Sequence, residues 1–328
     1  MTRFAPLAFV PLLAGCGYVG DPMPPALKTP VAVADLKAWQ RGSRIVVEFT
    51  APGRTTEGFL IGRVGEIDLR AGLSPGPVFN LDGWAAAARR IAATAEKPGP
   101  VRVETPAAEW VGRETVIGVR TANVNGRFSG WSNLATLTVL EPLARPAALA
   151  AEAVPEGVRL RWTAPERAGQ EFRIWRRAGA QEQSVLAARI AALEWIDTAA
   201  EYGASYEYSV QTVTKAGPAE AESEPSETVA IVPRDTFPPA VPRDLTAVAG
   251  AGSVELGWER STEPDFAGYR VYRALNGGAY ERIADRVEAP SFSDRGVQPG
   301  AKYGYAVSAV DQAGNESARS AVVEIESR

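Results

Sequence analysis

The sequence predicts an all-β chain built from three tandem antiparallel sandwiches, the first with a short helical insertion. Two observations carry this. Trp162, Arg173-Ile174-Trp175-Arg176, Asp197 and Tyr206-Glu207-Tyr208-Ser209-Val210 return as Trp258, Arg270-Val271-Tyr272-Arg273, Asp294 and Tyr303-Gly304-Tyr305-Ala306-Val307. The offset is 97 from Arg173 onward and 96 at the tryptophans, the length of one small sandwich. Short β-branched and aromatic runs also alternate with period two, as in Ile45, Val47, Phe49, then Val158, Leu160, Trp162, then Val254, Leu256, Trp258. That spacing puts every second side chain on one face of a strand.

Residues 1–15 read as a secretory signal. One basic residue, Arg3, precedes an apolar run from Phe4 to Ala14, far short of the ~20 residues that span a bilayer. The run ends in Leu13-Ala14-Gly15-Cys16, which resembles the bacterial lipobox. The resemblance implies cleavage before Cys16 and lipidation of its thiol with palmitate-type acyl chains, so that the membrane becomes the first partner. Gly17 stands where Asp would signal inner-membrane retention, which points to the outer membrane if the source has two membranes. Residues 16–30 form a proline-rich tether, with four prolines and two glycines between Gly17 and Pro30.

The first sandwich, 31–141, is the divergent copy. Phe49 occupies the place of Trp162 and Trp258, and Thr115 the place of Tyr206 and Tyr303, while Gly112 keeps the turn glycine. The interval from Arg63 to Val119 exceeds the matching Arg176 to Val210 by about 22 residues, room for a helix of several turns. The extra chain reads as a helix near 80–97: Asp82 can cap it, and Trp84, Ala88, Ile91 and Ala95 share one face. The pairs Ser129 and Ser132, Ser223 and Ser226, and Ser317 and Ser320 place a Ser-x-x-Ser in the last strand of each copy. Proline-bearing breaks at Glu141–Pro146 and Val232–Pro242 delimit the second sandwich, 142–235, from the first and from the third, 236–328. The second break suggests a semi-rigid joint and the whole an extended array.

The third segment resembles a fibronectin type III domain along nearly its whole length, through Leu256-Gly257-Trp258, Gly268-Tyr269-Arg270-Val271-Tyr272-Arg273 and Val297-Gln298-Pro299-Gly300-Ala301-Lys302-Tyr303. The resemblance implies an immunoglobulin-like fold, with Phe49, Trp162 and Trp258 in the cores and Tyr206 and Tyr303 as tyrosine corners tied to nearby backbone. The middle segment repeats the pattern without the proline of the turn.

Composition narrows the function. There are no histidines and one cysteine, which excludes the usual Ser-His or Cys-His nucleophile, an internal disulfide and a cysteine-rich metal site. A net charge of -4 offers no field for nucleic acid, and no polybasic run for anionic lipid is present. Carboxylates such as Glu263-Pro264-Asp265 fall at loop positions, so the chain is read as not an enzyme and as needing no cofactor or metal. Asp311-Gln312-Ala313-Gly314-Asn315-Glu316-Ser317 reads as a polar hairpin loop, the alternative being a hard cation such as calcium. Asn125-Gly126 is a hairpin turn.

Candidate partner-binding residues are Trp84, Arg89 and Arg90 on the insertion and Trp131 in Ser129-Gly130-Trp131-Ser132. Trp84 would pack the helix on its own sandwich or dock a partner, and Trp131 would stack between arginine stems such as those of Arg120 and Arg127 or present a binding platform. The expected function is that of a lipid-anchored envelope protein whose sandwiches bind or assemble a protein partner without catalysis. The alternative is an extracellular carbohydrate- or polymer-binding, or adhesive, surface protein.

Overall fold

The computed structural model describes residues 28–76 and 78–328, so the signal segment, Cys16 and most of the tether lie outside the described residues. The described residues form two compact units, one running to Pro142 with Lys215–Ala221, and the other Leu143–Thr214 with Glu222–Arg328.

In the first unit β1 (Lys37–Arg41), β2 (Arg44–Ala51) and β5 (Gly99–Pro106) form one antiparallel layer. The other layer has the order β4 (Arg89–Ile91), β3 (Ile67–Leu73), β6 (Glu114–Thr121), β7 (Ala135–Thr138). Ile45, Val47 and Phe49 alternate inward from β2 and meet Leu69, Ala71, Ile117 and Val119 in a closed core. The alternation read from the sequence is thus the buried face of a strand.

The second unit holds two sandwiches, each with its own core. In the first, β8 (Ala147–Val154), β9 (Gly157–Thr163) and β12 (Glu194–Asp197) face β10 (Glu171–Ala178), β11 (Val185–Ile190) and β13 (Tyr206–Ala216). The segment Lys215–Ala221, with most of β14 (Ala219–Glu222), is counted with the first unit, and β15 (Val229–Ile231) pairs with β13. In the second, β16 (Thr246–Gly250), β17 (Ser253–Gly257) and β20 (Ser291–Asp294) face β18 (Phe266–Leu275), β19 (Glu281–Val287), β21 (Lys302–Asp311) and β22 (Val323–Glu326). Trp162 and Tyr206 lie in one core and Trp258 and Tyr303 in the other. The protein is therefore all-β, with tandem antiparallel sandwiches.

The corner tyrosines act through their hydroxyls: Glu201 N–H donates to Tyr206 Oη and Gln298 N–H to Tyr303 Oη, both at 2.9 Å. In the first sandwich Thr115 fills this position, and its buried hydroxyl has no partner. The paired serines fall just ahead of the last strand instead of within it. There the second serine of each pair accepts a neighbouring strand's N–H, as Val119 to Ser132, Val210 to Ser226 and Val307 to Ser320 at 3.0–3.1 Å. The first serine of each pair does the same for Thr121, Thr212 and Ala309. Side-chain oxygens thus complete the hydrogen bonding of a segment that has not yet become strand.

Strand registers relocate the extra chain of the first sandwich. Leu69 opposes Val119 as Ile174 opposes Val210, so Leu69, and not a residue near Arg63, marks the third strand. Roughly two-thirds of the excess over the middle copy lies between Leu69 and Val119, and the rest lies earlier, between Phe49 and Leu69.

The helix is also shorter than expected. It covers Leu81–Ala87, capped by the Asn80 side chain, which accepts the Gly83 N–H at 2.9 Å, and not by Asp82. Beyond Ala88 the chain turns extended, placing Arg89, Arg90 and Ile91 on β4. Ile91 belongs to the main core, so pairing with β3 at Leu69 outweighs the helical propensity of the alanine run.

Candidate functional site

Three of the four candidate partner-binding residues, Trp84, Arg90 and Trp131, come together on the outer face of the β4-β3-β6-β7 layer, whereas Arg89, opposite Ala71 and in step with the buried Ile91, belongs to its other face. Trp84 is buried on its outer face with Ala85 and Val116, against Leu81, Leu134 and Trp131, in a small cluster separate from the main core. Two strand glycines make the seat. A Cβ on Gly118 would lie 3.1 Å from Trp84 Cη2 and 2.9 Å from Leu134 Cδ2, and one on Gly72 would lie 3.0 Å from Trp84 Nε1. The indole therefore rests directly on the sheet, with the ring of Trp131 5.6 Å away, edge to face. Trp84 is used in packing its helix, and its Nε1–H has no acceptor.

Trp131 is stacked by arginines, with Arg120 at 4.8 Å and Arg70 at 5.8 Å from the ring centre. Arg120 also covers Phe128 at 4.7 Å. Beneath them Asp68, 1% exposed, receives Arg70 Nε and Arg120 Nε, each at 2.9 Å. Burial pushes the Asp68 carboxyl up, but the hydrogen bonds of the two guanidinium groups outweigh it and hold it below the ordinary carboxylate range. Arg90 pairs with Glu66 and approaches Asp68 at 3.4 Å, and Arg89 pairs with Glu109. The backbone of Arg127, the other arginine near Trp131 in sequence, closes the turn at Asn123. What results is an aromatic and cationic face whose charges are mostly matched from within, leaving Trp131 half-buried.

Two further buried acids are held in the same manner in the second unit. Arg176 donates to both oxygens of Asp197, at 3.1 and 2.8 Å, and Tyr208 Oη donates to Asp197 at 2.8 Å. Arg273, Asp294 and Tyr305 repeat this arrangement. Burial, then the hydrogen bond to the aspartate, pushes the phenols of Tyr208 and Tyr305 far above the usual tyrosine range. A raised native value means that stability is full below the ordinary phenol range, near pH 10, and declines as pH rises toward the native value. Alkaline titration followed by phenolate absorbance should accordingly leave at least two of the nine tyrosines protonated until the sandwiches unfold. All nine titrating together in folded protein would contradict the arrangement.

The loop read as a polar hairpin has that geometry: Asn315 N–H and Nδ2 each donate to Asp311 at 2.8 Å. The fold adds what the sequence did not indicate. Asp235 and Asp265 bring their carboxylates to Asp311, all within 4.8 Å of one another, from positions far apart in sequence. Oxygen donors at such spacing are of the kind that hold hard cations. The Asn315 bonds are sufficient to orient the buried Asp311, and Asn315 Nδ2 also reaches the Asp235 carbonyl at 3.3 Å.

No family model matches the chain. Part of it, 26%, is 45% identical over 85 residues to an amylopullulanase of Thermoanaerobacterium saccharolyticum, and this covers 6% of that protein. Another 35% identity runs over 134 residues to exoglucanase B of Cellulomonas fimi, 39% of this chain and 12% of that one. The chain thus spans only a small fraction of the curated relatives it matches. Among solved structures, the FN1–FN3 domains of chicken CNTN1 align over 91% of this chain and 99% of theirs, at 13% identity and a TM-score of 0.30. A Fn3-like protein from Clostridium thermocellum aligns over 28% of this chain and 96% of its own, at 34% identity and a TM-score of 0.25.

Proposed function

We propose that the chain is a lipid-anchored, non-catalytic binding or assembly module of the cell envelope, held by a lipid on Cys16 and acting through the surfaces of its sandwiches. The observation that carries the non-catalytic part is the state of three of its buried acids. Asp68, Asp197 and Asp294 are each engaged by arginine, and the latter two also by tyrosine, in structural networks that account for them without chemistry. The local similarity to short pieces of two much longer enzymes agrees with an accessory role.

The anchor rests on Leu13-Ala14-Gly15-Cys16. Cys16→Ser should move the protein from the membrane to the soluble fraction and abolish the lipid mass shift while leaving the far-ultraviolet spectrum unchanged. Membrane retention of the serine variant would overturn the reading.

A second reading, binding of a carbohydrate polymer, is favoured by the names of the relatives, an amylopullulanase and an exoglucanase. It would use the half-buried Trp131 as platform. Retention of the Cys16→Ser protein on insoluble starch or cellulose, lost with Trp131→Ala, would replace the first reading by this one.

A further inference from the structure

We infer that one pole of the first sandwich is a membrane-contacting surface, in which Phe59 and Leu60 enter the interfacial layer of a bilayer and exposed cations of the same segments meet anionic headgroups. The inference builds on the proposed lipid at Cys16.

Three segments meet at this pole. The chain enters at Lys28–Val31, where Val31 N–H bonds the Arg54 carbonyl at 3.1 Å, Thr56 N–H bonds the Thr29 carbonyl at 2.9 Å, and Pro30 bridges Thr55. The loop 52–66 carries Phe59 and Leu60 at its tip, fixed by Thr55 N–H to the Phe59 carbonyl at 2.9 Å and by Arg54 Nη1 to the Gly58 carbonyl at 3.1 Å. The turn Asn123–Arg127 joins them through Asn123 Nδ2, which donates to the Lys28 carbonyl at 3.0 Å.

Each segment presents apolar side chains to solvent. Leu60 is 78% exposed, Val124 66%, Phe59 51% and Val31 43%. A defined backbone that holds four apolar groups outward suits a surface that removes them from water. Lys28, Arg54, Arg63 and Arg127 stand exposed on the same three segments. Two acids share the loop, Glu57 and Glu66, both of them engaged, the second by Arg90, and the four cations outnumber them. The sequence shows no polybasic run because these cations are scattered along the chain, and the fold assembles them on a protein whose net charge is -4. Cations around an apolar tip are what an anionic bilayer surface attracts.

Two observations select a bilayer as the occupant. Lys28 stands twelve positions after Cys16, so even a fully extended tether keeps the pole within about 40 Å of a lipid on Cys16. The loop carrying Phe59 and Leu60 also holds the earlier share of the extra chain, and it occurs in the copy next to the tether, not in the middle copy. A weak surface contact becomes effective there because the tether raises its local concentration.

The test uses the full chain with Leu60→Cys, labelled with an environment-sensitive fluorophore and placed in phosphatidylcholine–phosphatidylglycerol vesicles. Intact mass first establishes whether Cys16 carries lipid. With lipid present, blue-shifted emission and protection from iodide at position 60, but not at a Glu156→Cys control, is the expected result. Equal iodide access at both positions would overturn the proposal. If mass shows no lipid, the anchor reading fails separately, and the pole is judged by flotation of the Cys16→Ser protein with the same vesicles. Binding that falls about tenfold or more in Phe59→Ser/Leu60→Ser supports it, and no flotation overturns it.

Discussion

Asp294→Ala should destabilise the third sandwich by about 3–5 kcal/mol, the range for breaking a buried, hydrogen-bonded charge network by removing one partner. Arg273 Nη1 contacts both carboxylate oxygens at 3.2 and 3.0 Å, and Gly296 N–H and Tyr305 Oη donate at 2.9 and 2.7 Å. Without the acid, the fully buried Tyr305 hydroxyl has lost its acceptor and Arg273 its counter-charge. Asp294→Asn keeps the shape and one acceptor and should cost less. Three sandwiches need not unfold together, so the measurement is hydrogen exchange in the intact chain. Faster exchange is expected across Lys302–Asp311 and not in the first sandwich, and unchanged protection of β21 would remove the triad from the account of stability. Asp197→Ala should act in the same way on the middle sandwich.

The first sandwich supplies an internal comparison. By strand register, Ala71, Thr105 and Ile117 occupy the positions of Arg176, Asp197 and Tyr208. Arginine, acid and tyrosine are exchanged as a set, as expected if any one left alone would be a stranded buried polar group.

This comparison also shows what the sequence could convey. The fold was legible because the repeat and the period-two runs report local, strand-level facts: which face is buried, and where the Trp and Tyr of each core recur. The total excess of the first copy was legible too, but its division between two loops was not, since that depends on Leu69 pairing with Val119 on a strand distant in sequence. The helix was overextended because alanines favour helix locally, while Ile91 joins a strand whose partner lies elsewhere in the chain. Trp131 between arginines could be anticipated from Arg120, which lies on the strand that the neighbouring serine pair bonds. The acid beneath it, Asp68, could not, because nothing local distinguishes it from a solvated aspartate. The convergence of Asp235, Asp265 and Asp311 and the cationic pole are likewise products of tertiary structure. The glycines Gly72 and Gly118 were the overlooked local signal: a glycine inside a strand marks close approach, here by the Trp84 indole.

Trp258→Ala should cost the third sandwich about 3–5 kcal/mol as a buried-aromatic truncation. The indole lies in the core with Val254, Leu256, Val271 and Tyr269, and the Tyr269 ring stands edge to face with it at 5.1 Å. Its Nε1–H is nevertheless buried without an acceptor, an expense of about 1–3 kcal/mol that offsets part of the gain from burial. Trp258→Phe removes the unpaired donor together with part of the ring, so its cost should be well under half that of the alanine variant. The first sandwich already holds phenylalanine there, as Phe49, in a closed core. Denaturant unfolding of the two variants, read through exchange of Ser253–Gly257, separates the contributions. Equal losses for Phe and Ala would mean that a benzyl ring recovers none of the packing at this position, and no loss for Ala would remove Trp258 from the core.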